Sequence, residues 1–172
     1  MLKKVSRRWF LLSIPVALAG FYFWNKKKRW KYIVIHHSAG SSGNLNFLRG
    51  VHRERFPKSR YMAYHFVVGN GKGMGCGEVD HGSRWNYQLW GAHVSYRNRF
   101  MNANGIGICM IGNFEKHKMD EKQYQGMVRL IKYLKVMYKI PSENVLFHGK
   151  IRKEQTLCPG KNFPYERFKK DI

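Results

Sequence analysis

Acidic residues are scarce in this 172-residue chain: ten Asp plus Glu stand against 32 Lys plus Arg, a formal charge of +22. So lopsided a balance points to an anionic partner, with nucleic acid, anionic lipid headgroups and carboxylate-rich wall polymers all attracted alike. Cysteine is nearly as sparse, and three thiols (Cys76, Cys109 and Cys158) exclude a disulfide framework. No internal repeat or low-complexity stretch is present. What the chain does have is a 44% hydrophobic and 15% aromatic composition, which excludes a disordered chain and suits one core plus a tail.

Residues 1 to 30 hold eight basic and no acidic residues, so residues 31 to 172 retain 24 − 10 = +14. Within that start, an apolar run from Trp9 to Trp24 is bracketed by residues 2 to 8 (LKKVSRR) and by Lys26-Lys27-Lys28-Arg29. Its 16 residues make about 24 Å of helix at ~1.5 Å each, short of a ~30 Å hydrocarbon core. Ala17-Leu18-Ala19 reads as a cleavage site, and Ser6-Arg7-Arg8-Trp9-Phe10-Leu11 resembles a twin-arginine signal. Phe21-Tyr22-Phe23-Trp24 continues the run past that site, as a retained anchor would. The expectation is an N-terminal hydrophobic signal or anchor helix plus basic linker over residues 1–29. The domain, residues 30–172, is then exported: periplasmic, or held at the membrane outside the cytoplasm.

Beyond the linker, Tyr32 to His36 has the β-branched character of a buried strand, and a moderately amphipathic helix is expected from about Asn44 to Phe56. Further strands are expected at His65 to Val68, Gly105 to Ile111 and Val145 to His148. The Gly-, Trp- and Tyr-rich stretch from Gly73 to Asn104 should hold two short strands at most and form much of a binding surface. Asp120 and Gln123 have capping-box spacing before a helix with Met127, Leu130, Ile131, Leu134, Met137 and Tyr138 on one face, ended by Pro141. The fold class is therefore α/β, a single domain with a mixed central β-sheet flanked by helices.

Three residues far apart in sequence suggest chemistry: His36, His148 and Cys158. Two imidazoles and one thiolate would leave a tetrahedral zinc with an open position, the layout of a hydrolytic site. His36 and His148 each end an expected strand and lead into a glycine-containing loop, where α/β sheets present ligands. Because neighbours on a strand point to opposite faces, only one of His36 and His37 should face the metal.

The segments YIVIHHSAG, AYHFVVGNG, WGAHV, NGIGICMIGNF and HGKIRKEQTLCPGKNFP, in this order, resemble the zinc amidases that include peptidoglycan recognition proteins and phage amidase-type lysozymes. The resemblance spans about residues 31 to 165. It implies N-acetylmuramoyl-L-alanine amidase activity, hydrolysis of the amide between N-acetylmuramic acid and L-alanine, with His36, His148 and Cys158 as zinc ligands. It also implies Tyr64 and Thr156 as catalytic residues, and His65, Arg84, Trp85 and His93 as substrate-binding residues. Trp85-Asn86 resembles a segment that in some members contacts the third stem-peptide residue. Arg84 replaces its glycine, and could grip a carboxylate there through paired hydrogen bonds. Another branch of these amidases has a glutamate where this chain has Cys109, so Glu154 is the alternative candidate for a general base. Its ordinary reading is a loop acid on the surface.

The expected partner is peptidoglycan, with the membrane as a second through the N-terminal segment, and a monomer is expected. The alternative function is a recognition protein that binds peptidoglycan without cutting it. In such proteins this cysteine is commonly replaced, so Cys158 favours an enzyme. Nucleic-acid binding could draw on Trp85, Tyr87, Trp90 and Tyr96, but no nucleic-acid motif accompanies them, so no nucleic-acid partner is expected.

Overall fold

The computed structural model describes residues 29–172, and the expected signal or anchor helix lies outside the described residues. Five strands, β1 (Tyr32–His37), β2 (Phe66–Val68), β3 (Val79–His81), β4 (Gly105–Met110) and β5 (Val145–Phe147), form one sheet in the order β3-β2-β4-β1-β5. All neighbours are parallel except β2 and β3. The helices are α1 (Leu45–Arg55), α2 (Ser83–Asn86), α3 (Arg99–Asn104), α4 (Glu121–Tyr138) and α5 (Tyr165–Asp171). This is the expected mixed sheet flanked by helices. Among the described residues no helix is long and apolar enough to cross a membrane.

β1 and β4 pair from Tyr32↔Gly105 to His37↔Met110, lie between other strands and are covered on both faces. That is why both read as near-continuous apolar runs. Side-chain alternation then divides the sheet. Ile33, Ile35, Phe66, Val68, Ile106, Ile108 and Met110 meet Met127, Leu130, Ile131 and Leu134 of α4. On the other face Val67 and Cys109 pack with Leu48 of α1, while Val34 packs with Val94 and Met101. His36 follows Val34 onto this second face.

α4 begins as expected at Asp120, whose carboxylate accepts from Lys122 N–H at 2.8 Å. The expected capping box does not form. Gln123 is buried and donates instead to the carbonyls of Val68 (3.1 Å) and Ile111 (2.7 Å), tying α4 to the C-terminal ends of β2 and β4. The helix stops at Tyr138, where Lys139 turns into the left-handed region two residues before Pro141. Tyr138 packs on Trp85, and Trp85 on the buried Trp30 just before β1. α4 thus runs antiparallel to the parallel strands, from their C-terminal end back to their start. Met137, expected in the core stripe, is exposed, because helical spacing sets it beside the exposed Tyr133, at the border of the buried stripe.

Replacing the fully buried Ile131 by Ala should cost about 2–5 kcal/mol of stability by urea denaturation. Val136→Ala, on the opposite face of the same helix, should stay within ~0.5 kcal/mol.

Candidate metal centre

β1 and β5 are neighbours with Ile35 opposite Phe147, so His36 and His148, each one residue further on, emerge side by side. Their ring centroids are 4.5 Å apart. Cys158 joins them because the intervening loop folds back tightly: Gly149 N–H donates to the Cys158 carbonyl at 2.7 Å. A Cβ on Gly149 would lie 2.4 Å from the Thr156 carbonyl oxygen, an approach only glycine permits. The three donor groups come within 4.8 Å of one another, with His36 Nδ1 at 4.0 Å from Cys158 Sγ. His37 points to the other face, where its Nδ1 accepts from Phe114 N–H at 3.2 Å, while its own backbone N–H donates to Cys158 Sγ at 3.3 Å.

Hydrogen bonding fixes the tautomers. The Gly105 carbonyl can only accept, so His93 Nε2, 3.2 Å away, carries the proton. His93 Nδ1 therefore accepts from His36 Nε2–H at 3.1 Å, which leaves His36 Nδ1 as a bare lone pair beside the thiol. His148 is oriented in the same manner, with Nε2–H donating to Glu154 Oε2 at 3.0 Å and Nδ1 left over. Glu154 is held by Ser95 N–H (3.0 Å), Ser95 Oγ (2.7 Å) and Asn98 Nδ2, all on Oε1. Its side chain is 5% exposed, so it is neither the surface acid nor the free base that the sequence suggested. Both carboxylate oxygens are engaged, and one of them orients a metal-facing histidine.

Burial holds the imidazoles neutral: His36 well below its usual range, His93 down to about 4, and His148 lowered although Glu154 opposes the shift. Burial also pushes the Cys158 thiol up to about 12, against the His37 N–H that favours the thiolate. Two neutral nitrogens with inward lone pairs and a thiol that only a cation would deprotonate suit zinc, with one position left open.

Of the four residues expected to touch substrate, His93 hydrogen-bonds His36, and the other three lie outside the donor set. His65 is fully buried, its Nδ1 accepting from Gly107 N–H (2.9 Å) and its Nε2 donating to the Leu89 carbonyl (3.0 Å), with burial holding its pKa to about 3. Trp85 packs on Phe66 at 4.4 Å in the core. Arg84 donates to the carbonyls of Met62 (2.7 Å) and Trp90, bracing the loop rather than presenting a free fork. His93 stands behind His36 in a slot left by Gly91 and Gly107, where a Cβ would come within 2.3 and 2.5 Å of its ring. The short helix α2 turns residues 84 and 85 inward, a direction that segment similarity does not encode.

Tyr64 and Thr156 do border the centre. The Tyr64 ring is 5.0 Å from His36 and 5.2 Å from the buried His52, which the sequence reading missed and which accepts from Ala63 N–H at 3.1 Å. Thr156 Oγ1 accepts from Cys158 N–H at 3.2 Å. A mainly apolar groove of about 650 Å³ opens on the Tyr64 side, between Phe56, Ala63, Ala92 and Tyr96. A smaller cavity of about 310 Å³, with Lys150 and Lys161 in its wall, opens beside Cys158 and Thr156. All three cysteines are free.

Glu154→Ala should weaken zinc binding by about 10–100-fold in chelator competition, and Glu154→Gln, which keeps an acceptor for His148, should recover much of it. Because the histidines are already neutral, zinc entry displaces one proton, that of Cys158. Affinity should therefore rise about tenfold per pH unit between pH 6.5 and 8, read by the same competition after correcting for the chelator's own protonation.

Residues 26–161 match the family model described as N-acetylmuramoyl-L-alanine amidase. The fold is similar to that of an endolysin amidase, LysCS from Clostridium intestinale URNW. That pair shows 26% identity and a TM-score of 0.69, over 84% of this chain and 84% of that one. It is also similar to PGRP-SA of Apis mellifera, at 22% identity and a TM-score of 0.64, over 80% of this chain and 81% of that one. A complex of the peptidoglycan recognition proteins LCa and LCx, bound to tracheal cytotoxin, gives 24% identity and a TM-score of 0.64, over 83% and 82%. No curated protein matches by sequence. The family match covers most of the chain and includes both candidate histidines and the cysteine, and the chain belongs to the N-acetylmuramoyl-L-alanine amidase family.

Proposed function

We propose that this chain is a zinc-dependent enzyme acting outside the cytoplasm, and that it hydrolyses the amide between the lactyl group of N-acetylmuramic acid and L-alanine. The observation that carries the reading is the complete donor set, with Cys158 Sγ 4.0 Å from His36 Nδ1 and both histidines held in the tautomer that exposes Nδ1. The structurally similar recognition proteins that bind tracheal cytotoxin support a peptidoglycan fragment as ligand. The basic bracket around Trp9 to Trp24 supports export.

The chemistry that zinc supplies in such a donor set is polarisation of a carbonyl and acidification of a water to a pKa near ~7. The protein's own groups do the rest. Burial, with the Cys109 thiol as a hydrogen-bond partner, raises the Tyr64 phenol well above its usual pKa, so it stays protonated, and by turning from Cys109 it would donate to the oxygen of the attacked amide as negative charge grows there. Thr156 Oγ1 already accepts from Cys158 N–H, which leaves its own O–H to donate towards the same oxygen. The cavity beside Cys158 and Thr156 leaves room for part of a muropeptide at the centre. Lys150, Arg152 and Lys153 are exposed on the loop after His148 and would attract the carboxylates of a stem peptide.

Mass spectrometry of purified peptidoglycan treated with the full chain should show free stem peptides that begin at L-alanine, lost on chelation and restored by zinc. Tyr64→Phe should keep zinc and lose about 10²-fold or more in turnover. Tight binding to the sacculus with no release, zinc being bound, would replace the enzyme by the recognition protein.

A further inference from the structure

The outer face of α4 is unusual for a helix packed on a sheet. Val136 is 82% exposed, Tyr133 56% and Met137 48%, spaced so that they form one apolar stripe over the helix's last turns. Arg129, Lys132 and Lys139 are exposed around them, and α4 carries no acidic residue after Glu121. An apolar strip rimmed by long cationic side chains is the pattern of a helix that lies in a lipid interface, its stems buried and its charges at headgroup level.

The position of this face strengthens the reading. α4 ends at the start of the parallel strands, where Tyr138 meets Trp85 and Trp85 meets Trp30. The chain enters the domain at that same end, directly after Lys26-Lys27-Lys28-Arg29 and the apolar run before them. Phe100, 55% exposed and in edge contact with Tyr32, adds a further apolar group there. The metal centre sits at the opposite end of the strands.

We propose that this face of α4 docks on an anionic lipid surface, turning the metal centre away from the bilayer. Charge decides between possible occupants. Residues 1 to 28 have no acidic residue, so laying them on this face would bring like charges together, as would pairing two copies of it. An anionic bilayer complements both the face and the basic residues that lead into the domain. The proposal does not depend on the amidase reading.

The test places a nitroxide at Val136→Cys, or at Lys118→Cys near the start of α4, in the full-length chain carrying Cys76→Ser. Cys109 and Cys158 are buried. Vesicles are phosphatidylcholine alone or with a quarter phosphatidylglycerol, and the readout is the accessibility of the label to oxygen relative to a water-soluble nickel chelate. On anionic vesicles the ratio should rise several-fold at position 136 and stay aqueous at 118, and the rise should be lost with Arg129→Glu plus Lys132→Glu or in high salt. An aqueous label at 136 would overturn the proposal, as would equal rises on neutral and anionic vesicles. Shielding of 136 from both reagents without lipid would show that the chain's own residues or a second copy cover the face.

Discussion

The structure turns on a histidine that cannot reach water. β1 carries His36 to the interior at 1% exposure, and a buried polar group left without partners costs about 1–3 kcal/mol. One nitrogen is satisfied by His93, which is itself satisfied by the Gly105 carbonyl. The other faces the Cys158 thiol at 4.0 Å, too far and too weak a partner to complete it. That remaining lone pair is the reason the site is suited to a cation. It exists only because Gly91 and Gly107 leave a slot for the His93 ring and because Gly149 lets the loop bring Cys158 back. The fold and the donor set are one constraint, written largely in glycine.

Sequence pattern revealed the parts of this arrangement that depend on period and order. The buried runs at β1 and β4 and the long amphipathic α4 follow from alternation or helical spacing, and alternation also allows only one of His36 and His37 to face the metal, the family resemblance pointing to His36. The metal-facing trio was legible because its residue types are restricted by chemistry. Directions of side chains in irregular segments were not. Trp85, Arg84 and His65 lie in matching segments, yet each turns inward to pack or to satisfy backbone carbonyls and N–H groups. Gln123 had the spacing of a capping box, but two carbonyls at strand ends were the better partners in a buried site. Glu154 looked like any loop acid. Only the folded loop, by placing Ser95, Asn98 and His148 around it, shows a carboxylate withdrawn from solvent.

The few acidic residues explain how charge is distributed. Glu154 is spent on His148, Asp120 on the start of α4 and the Cys76 thiol, Glu121 on Arg167, Glu115 on Lys161, and Asp171 on the Tyr124 hydroxyl. With Glu78 on Gly75 N–H, Asp80 on His81 N–H and Glu166 on Lys169, eight of the ten acids are engaged locally. What they leave is a surface with many unneutralised cations, including Lys150, Arg152 and Lys153 by the metal centre and Arg129, Lys132 and Lys139 on α4. The net charge is thus concentrated by the fold's own use of its acids.

Strand direction then separates the two basic regions. The chain enters at Trp30, just before β1, and reaches the metal-facing His36 six residues later. At about 3.3 Å per residue this is a separation of roughly 20 Å. The parallel order of β2, β4, β1 and β5 collects His36, His148 and the loops after them at one end, as open α/β sheets do. α4, running back along the sheet, returns its last turns to the other end. A bond placed in the centre is therefore held away from the point of chain entry by the length of the sheet itself. A ligand too large to diffuse can meet the metal-facing end without passing the end at which the chain enters the domain.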